Sequence, residues 1–406
     1  MFSSMIERLQ PTTPAGKKFA RYSGILAVLV VAWLIPNYVA TGTDGPLPLF
    51  TVVLCAVYAL FALGLNIVVG FAGLLDLGYV AFFLFGAYTA AWLMSDFFYQ
   101  VNPRDPSDKQ FALNFHFLST ASADIKGIHI SFWIVIFIAA GIAALAGLVI
   151  GAPTLRLKSD YLALVTLGFG EILPEVFRNG DNVFGYNLTN GTKGIGPVDK
   201  IGMGFLSRLP GIPATITSSD YKTKYYVILA FCALFMYASI KLRDGRLGRA
   251  WMAIREDELA ASLMGVPLMG TKLWSYAVGA IAGGVGGAFY ATIVGTVNVD
   301  NFTFSFSIIV LCSVILGGMG NVWGAVLGGV AITWFNYTGL VWIGQQVNKG
   351  FGTHVDLKKF EFGFFGMVLV LMMLFRPEGF IPAARSKQLK KADKQVQSIE
   401  TAGAAS

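Results

Sequence analysis

Residues 241–271 read KLRDGRLGRAWMAIREDELAASLMGVPLMGT, a charged island between two long apolar runs. Lys241, Arg243, Arg246, Arg249 and Arg255 stand in it against Asp244, Glu256, Asp257 and Glu258. From Leu247 to Met264 there is no proline and no long β-branched run. Ala250, Ile254 and Ala261 fall at steps of four and seven, so the stretch predicts one helix with a single apolar stripe. Gly265 followed by Pro267 is its stop signal. A short amphipathic helix held between two membrane spans has the shape of a lever that a partner can grip. The plainer reading is a topology-fixing loop, for which the basic residues alone would suffice.

Outward from this island the chain is greasy. Hydrophobic residues make up 55% of its 406 positions, charged residues 13%, and glycine contributes 47. The charged share is about half that of a soluble domain, so the composition predicts an all-α polytopic membrane protein. The net charge of +7 does not point to nucleic acid, because the bases sit in short links between apolar runs, next to membrane lipid. Cys55, Cys232 and Cys312 lie inside apolar runs without paired spacing. His116, His129 and His354 have no metal-ligand spacing, so no metal site is expected. Nothing matches G-x-x-x-x-G-K-[ST], and no catalytic residue or bound cofactor is expected in this chain.

About ten transmembrane helices are predicted, near 24–40, 48–69, 77–97, 129–152, 160–178, 223–242, 272–296, 306–320, 322–345 and 360–376. The first run lacks a small-residue cleavage site and is read as a retained helix. The expected layout is a cytoplasmic segment at 1–23, a membrane domain at 24–376 and a basic cytoplasmic tail at 377–406. Most of the 30 Lys and Arg then fall on the side of the two termini. An even number of spans places the 241–271 loop in the cytosol, with outer loops at 98–127 and 179–221. The second outer loop carries LTNGTKGIGPV and a short predicted helix around Ile201–Leu209.

Polar groups at membrane depth are the next signal, since an ionisable side chain there costs about 2.5 to 3.5 kcal/mol on insertion scales. Asp76 follows the hinge Gly70-Phe-Ala-Gly73, while Glu171 and Glu175 stand four apart on one face of a helix that Pro174 should bend. These acids either line a path or are satisfied at helix interfaces. With Asn66, Tyr79, Asn190 and Thr192 they form the candidate translocation set. Glycine clusters at Gly64 to Gly86, at Gly168 and Gly170, and at Gly279 to Gly287 permit close helix approach.

Several ordered blocks then carry a resemblance: GLNIVVGFAGLLDLGYVAFFLFGAY (64–88), SDYLALVTLGFGEI (159–172), LTNGTKGI (188–195), the run from Leu247 to Ala291, VILGGMGNVWGAVLGG (314–329) and RPEGFIP (376–382). Together they resemble the LivM-type permease subunit of branched-chain amino acid ABC importers. Ala260, Ala261 and Gly265 match the alanine pair and glycine of the permease coupling motif E-A-A-x-x-x-G. Leu259 stands where that motif has glutamate, which leaves the acid role to Glu258 or Asp257.

The resemblance implies a type II-like bundle in a bacterial inner membrane, paired with a LivH-like permease. It also implies two LivG/LivF-like ATPase subunits that bind ATP and magnesium, and a periplasmic or lipid-anchored binding protein delivering Leu, Ile or Val. Coupling would then run through Arg249, Trp251, Ile254, Arg255, Glu256, Asp257, Glu258, Ala260, Ala261 and Gly265, with Trp251, Ile254 and Ala261 packed in a groove of the ATPase. The urea-importer permease is the nearest alternative. An ion-coupled secondary carrier using Asp76, Glu171 or Glu175 is the alternative of a different class.

Overall fold

Twelve helices are described in the structure, a computed structural model that covers residues 32, 34–36, 48–99, 113–118, 125–157, 159–202, 220–351, 357–376 and 379–381. They are α1 (Leu49–Leu65), α2 (Val80–Leu93), α3 (Phe132–Thr154), α4 (Ser159–Arg178), α5 (Tyr221–Asp244), α6 (Arg246–Glu256), α7 (Glu258–Leu263), α8 (Leu268–Val294), α9 (Phe304–Gly317), α10 (Val322–Trp334), α11 (Leu340–Phe351) and α12 (Glu361–Phe375). The chain divides into two units, Met1–Leu49 and Phe50–Ser406. In the first, the described residues 32 and 34–36 are helical. The remainder of the predicted 24–40 span, the 1–23 segment, residues 203–209 of the short predicted helix and the tail beyond 381 lie outside the described residues.

A helix overlaps each predicted span from 48–69 to 360–376. Among the described residues, six helices are long and apolar enough to cross a membrane: Leu49–Phe71, Phe132–Thr154, Tyr221–Asp244, Leu268–Val294, Val299–Gly317 and Val322–Gly350. The other three fall short for physical reasons. Helix α2 has 14 residues, or about 21 Å, against a hydrocarbon core of about 30 Å. Helix α12 has 15 residues. Helix α4 carries Asp160, Glu171, Glu175 and Arg178 within its 20 residues.

Short α2 is deeply buried, so its exposed N-terminal amides need partners inside the protein. Three side chains supply them. Asp76 Oδ1 accepts from Gly78 N at 2.8 Å, Thr166 Oγ1 from Leu77 N at 3.1 Å and Ser307 Oγ from Val80 N at 3.0 Å. Before α2, helix α1 widens into a π turn over Asn66–Phe71, and Gly73 follows in a left-handed conformation with φ +72°.

Helix α8 is the hub of the bundle, packed chiefly on α3 and α2 and also on the end of α1. Its glycines set the distance. A Cβ on Gly86 would run into the carbonyl of Gly284, and one on Gly284 would meet Ala139 O at 2.6 Å. On a third side, a Cβ on Gly64 would meet Gly279 O at 2.8 Å. Helices α9 and α10 meet the same way, with Gly317 and Gly324 each facing the other's carbonyl.

At the end of α2 away from α6, a small sheet in the order β1-β3-β2 joins β1 (Met94–Ser95), β2 (Phe115–Phe117) and β3 (Ile128–Ile130). Strands β1 and β3 are antiparallel, whereas β2 and β3 are parallel. Asp199 N donates to Met94 O at 2.7 Å and ties the segment after α4 to this sheet. The short strands of one and a half turns of alternation left no readable sequence signal.

Since the glycine contacts are backbone to backbone, Gly86→Ala should lower the thermal unfolding midpoint of the purified protein. The expected cost is about 1–3 kcal/mol, typical of overpacking. Gly141→Ala, on α3 with nothing within 4 Å of the new methyl, should leave the midpoint unchanged or higher.

Candidate functional site

The predicted lever is broken. Asp257 takes an extended conformation (φ −154°, ψ 110°) between α6 and α7, and its Oδ1 accepts from Ala260 N at 2.9 Å. The expected single helix over 247–264 is therefore two helices, because the Asp257 carboxylate caps a new N-terminus in place of continuing the old one. Gly265 ends α7 with φ +82°. Val266 N donates to Ala261 O and Gly265 N to Ser262 O, which closes the helix through a left-handed glycine.

The apolar stripe exists, but it faces this chain. Trp251 is fully buried and its Nε1 donates to Thr271 O at 2.7 Å, while Ile254 and Ala261 are also buried. The expectation that these three pack against a partner thus gives way: their surface is already used to seat α6 and α7 on α8. The face left open is different. Leu259, Leu263 and Met264 are 71%, 80% and 85% exposed, with Arg249, Glu256 and Ala260 also exposed.

The acids of this region have intramolecular work as well. Glu258 forms an ion pair with the buried Lys272, and Asp257 is the cap of α7. Arg255 reaches the unwound end of α1, where Nη1 donates to Gly70 O. Burial pushes the Arg255 guanidinium below its usual pKa, and the nearby Glu256 charge pulls it back up. Gly73 lies under the same side chain, since a Cβ there would meet Arg255 Cγ at 2.6 Å. Helix α6 is thereby joined to the turn that precedes α2.

The candidate translocation residues do not form one site. Asn66, Asp76 and Tyr79 are buried between helices. Asn66 Oδ1 accepts from Gly320 N at 2.9 Å, and Tyr79 Oη donates to Gly279 O at 3.1 Å. Asn66 Nδ2 and Asp76 Oδ2 are buried without a hydrogen-bond partner. Glu171 and Glu175 lie instead on the exposed face of α4, beside Tyr161, Leu164, Ile172 and Val176. Glu175 pairs with Arg178 at 3.0 Å, and Arg178 reaches Asp300 at 2.9 Å.

Asn190 and Thr192 belong to the segment that follows α4. Asn190 has φ +60° and donates to Gly194 O at 2.6 Å, whereas Thr192 O accepts from Asn298 at 3.0 Å. His129 and Asp199, which sequence reading did not connect, are 2.7 Å apart at the sheet. His116 stacks on His129 with ring centroids 4.9 Å apart. Burial raises the Asp199 carboxyl, and the hydrogen bond with His129 opposes it.

Residues 47–375 match the family described as "Branched-chain amino acid transport system / permease component". The chain is 33% identical over 379 residues to the high-affinity branched-chain amino acid transport system permease protein LivM of Escherichia coli (strain K12), covering 90% of this chain and 75% of that protein. The LivM protein of Salmonella typhimurium is 31% identical over 379 residues, covering 90% and 76%. The LivH permease protein of the same organism is 25% identical over 289 residues, covering 69% and 81%. No solved structure matches the chain.

The inward orientation of Trp251 has a measurable consequence. Trp251→Ala should destabilise the isolated chain by about 3–5 kcal/mol in equilibrium unfolding. Leu263→Ala should stay within about 0.5 kcal/mol. The reverse order would place the buried stripe on the outside.

Proposed function

This chain belongs to the family of branched-chain amino acid transport system permease components, and from that premise we propose that it is the membrane subunit of an ATP-driven importer for leucine, isoleucine and valine in a bacterial inner membrane. In this reading the chain is a multi-pass permease, and chemical work reaches it from two separate ATPase subunits that bind ATP and magnesium. A soluble or lipid-anchored binding protein would deliver the amino acid to the outer loops. Segments 1–23 and 377–406 would lie with the ATPases on the cytoplasmic side of a 24–376 permease domain.

The observation that carries the coupling proposal is the pairing of an exposed apolar tip with rigid inner ties. Leu259, Leu263 and Met264 offer a docking surface, with Leu259 standing where the family motif has glutamate. Apolar contact then replaces a charged contact at that point. Behind the tip, Trp251 holds α8 and Arg255 holds the hinge at Gly70. A push on α7 therefore has a stiff route to α2, as alternating access requires.

The open face of α4 supports a site for the second permease. Glu171, on a largely apolar open face whose other acid Glu175 is paired with Arg178, is costly against lipid, so this face should meet protein or a water-filled path. A LivH-like partner seated there would line the translocation path together with Glu171 and Glu175. Relatives named LivH support such a partner.

In proteoliposomes holding the complete complex, Leu263→Asp combined with Met264→Asp should reduce leucine uptake by about tenfold or more, the loss of at least ~1.4 kcal/mol of docking. The variant chain should insert as before, and ATP hydrolysis should lose its response to loaded binding protein. Uptake by the isolated chain on an ion gradient would instead show a secondary carrier and sink the importer reading.

A further inference from the structure

Beside the coupling helices lies a cavity of about 170 Å³, open on one side. One wall is aliphatic, made by Leu155, Leu157 and Leu162 from the α3–α4 region together with Ile254. The lining is also charged, and it carries both signs: Arg255 and Lys272 with Glu256 and Glu258. Its floor is the turn 72–74 that follows the unwound end of α1.

The lining narrows the chemistry of an occupant. A simple anion would meet the two carboxylates, and a simple cation the two basic groups. A wholly apolar guest would strip water from charged side chains without replacing it. A zwitterion with a short branched apolar tail satisfies every wall. Arg255 uses Nη1 on Gly70 O and has Nε and Nη2 left for a carboxylate. Glu258 gives Oε1 to Lys272 and has Oε2 left for an ammonium group. In size, a cavity of about 150 Å³ holds a molecule such as benzene, so this slightly larger, open one admits a leucine-sized ligand.

We propose that this cavity binds a free aliphatic amino acid on the side of the membrane that carries α6 and α7. The identity of the ligand as transported cargo rests on the importer reading above. A carboxylate on Arg255 would tie α6 to the turn at Gly73, holding together the two parts that must move for transport. Cargo accumulated on that side would thereby slow its own entry, and by linkage the docked state would alter the affinity of the site.

Binding of tritiated leucine to the purified full-length chain, in phosphatidylglycerol nanodiscs without binding protein or ATPases, should saturate. Leu157→Trp, at a position 40% exposed and outside the coupling contacts, should plug the mouth and weaken binding by about tenfold or more. No saturable binding by the unaltered chain, or equal binding by a folded Leu157→Trp chain, would overturn the site. A second measurement needs no variant. A photoreactive leucine analogue should label segments 155–162 and 254–258 of the unaltered chain, and labelling confined to other segments would overturn the site too. Phosphatidylethanolamine that abolishes labelling where excess leucine does not would assign the cavity to a lipid headgroup and refute the proposal. Uptake by the complete complex is scored separately: intact uptake without binding removes the site and spares the importer, whereas binding without uptake does the opposite.

Discussion

A helix inside a bilayer gains nothing from leaving lipid for another apolar helix, so its position is decided by how closely backbones can approach. Helix α8 meets that constraint on three sides at once. Gly284 against Gly86 and Ala139, and Gly279 against Gly64, bring main chains to distances that a single methyl would forbid. Close approach multiplies dispersion contacts that are individually worth only about 0.1–0.2 kcal/mol. It also lets Tyr79 reach across to the Gly279 carbonyl. The glycine clusters are packing surfaces, and α8 is the hub around which they bring the neighbouring helices.

Beside this hub, regular helix stops. Between α1 and α2 the chain unwinds through a π turn, Gly73 and Asp76 before it can start again, and the freed amides are taken up by Asp76, Thr166 and Ser307. Irregular backbone at such depth survives only when neighbours supply its hydrogen bonds. Two of those neighbours sit on α4 and α9, so any shift of the hinge is felt by both. Arg255 adds a contact from the coupling side. Hinge, lever and the open face of α4 are thus connected through short polar links laid over an apolar bundle.

Much of this was legible in the amino-acid order. Long apolar runs and proline and glycine punctuation located the spans from 48 onward, and the charged island located the lever with its glycine stop at Gly265. Three kinds of feature escaped. The break at Asp257 was readable in principle, since aspartate followed by Glu-Leu-Ala is an N-cap pattern, but an unbroken apolar stripe outweighed it. The direction of that stripe was not readable at all: periodicity says that Ile254 and Ala261 share a face, and only tertiary structure says that Trp251 turns this face toward Thr271. The His116, His129 and Asp199 cluster depends on strands of two and three residues, too short for any alternation to declare them.

The same comparison explains why polar residues grouped by depth did not form one site. Asn66, Asp76 and Tyr79 bond the backbone beside them, whereas Glu175 bonds Arg178 and Asn179 at the end of α4 and Glu171 stands on its exposed face. A buried carboxylate that accepts an amide hydrogen is accounted for by the fold. A pair of carboxylates left on an open apolar face is not, because water or a neighbouring subunit must complete their surroundings. The open faces of α4 and of the α7 tip therefore stand apart from the polar groups that the bundle buries around the turn before α2.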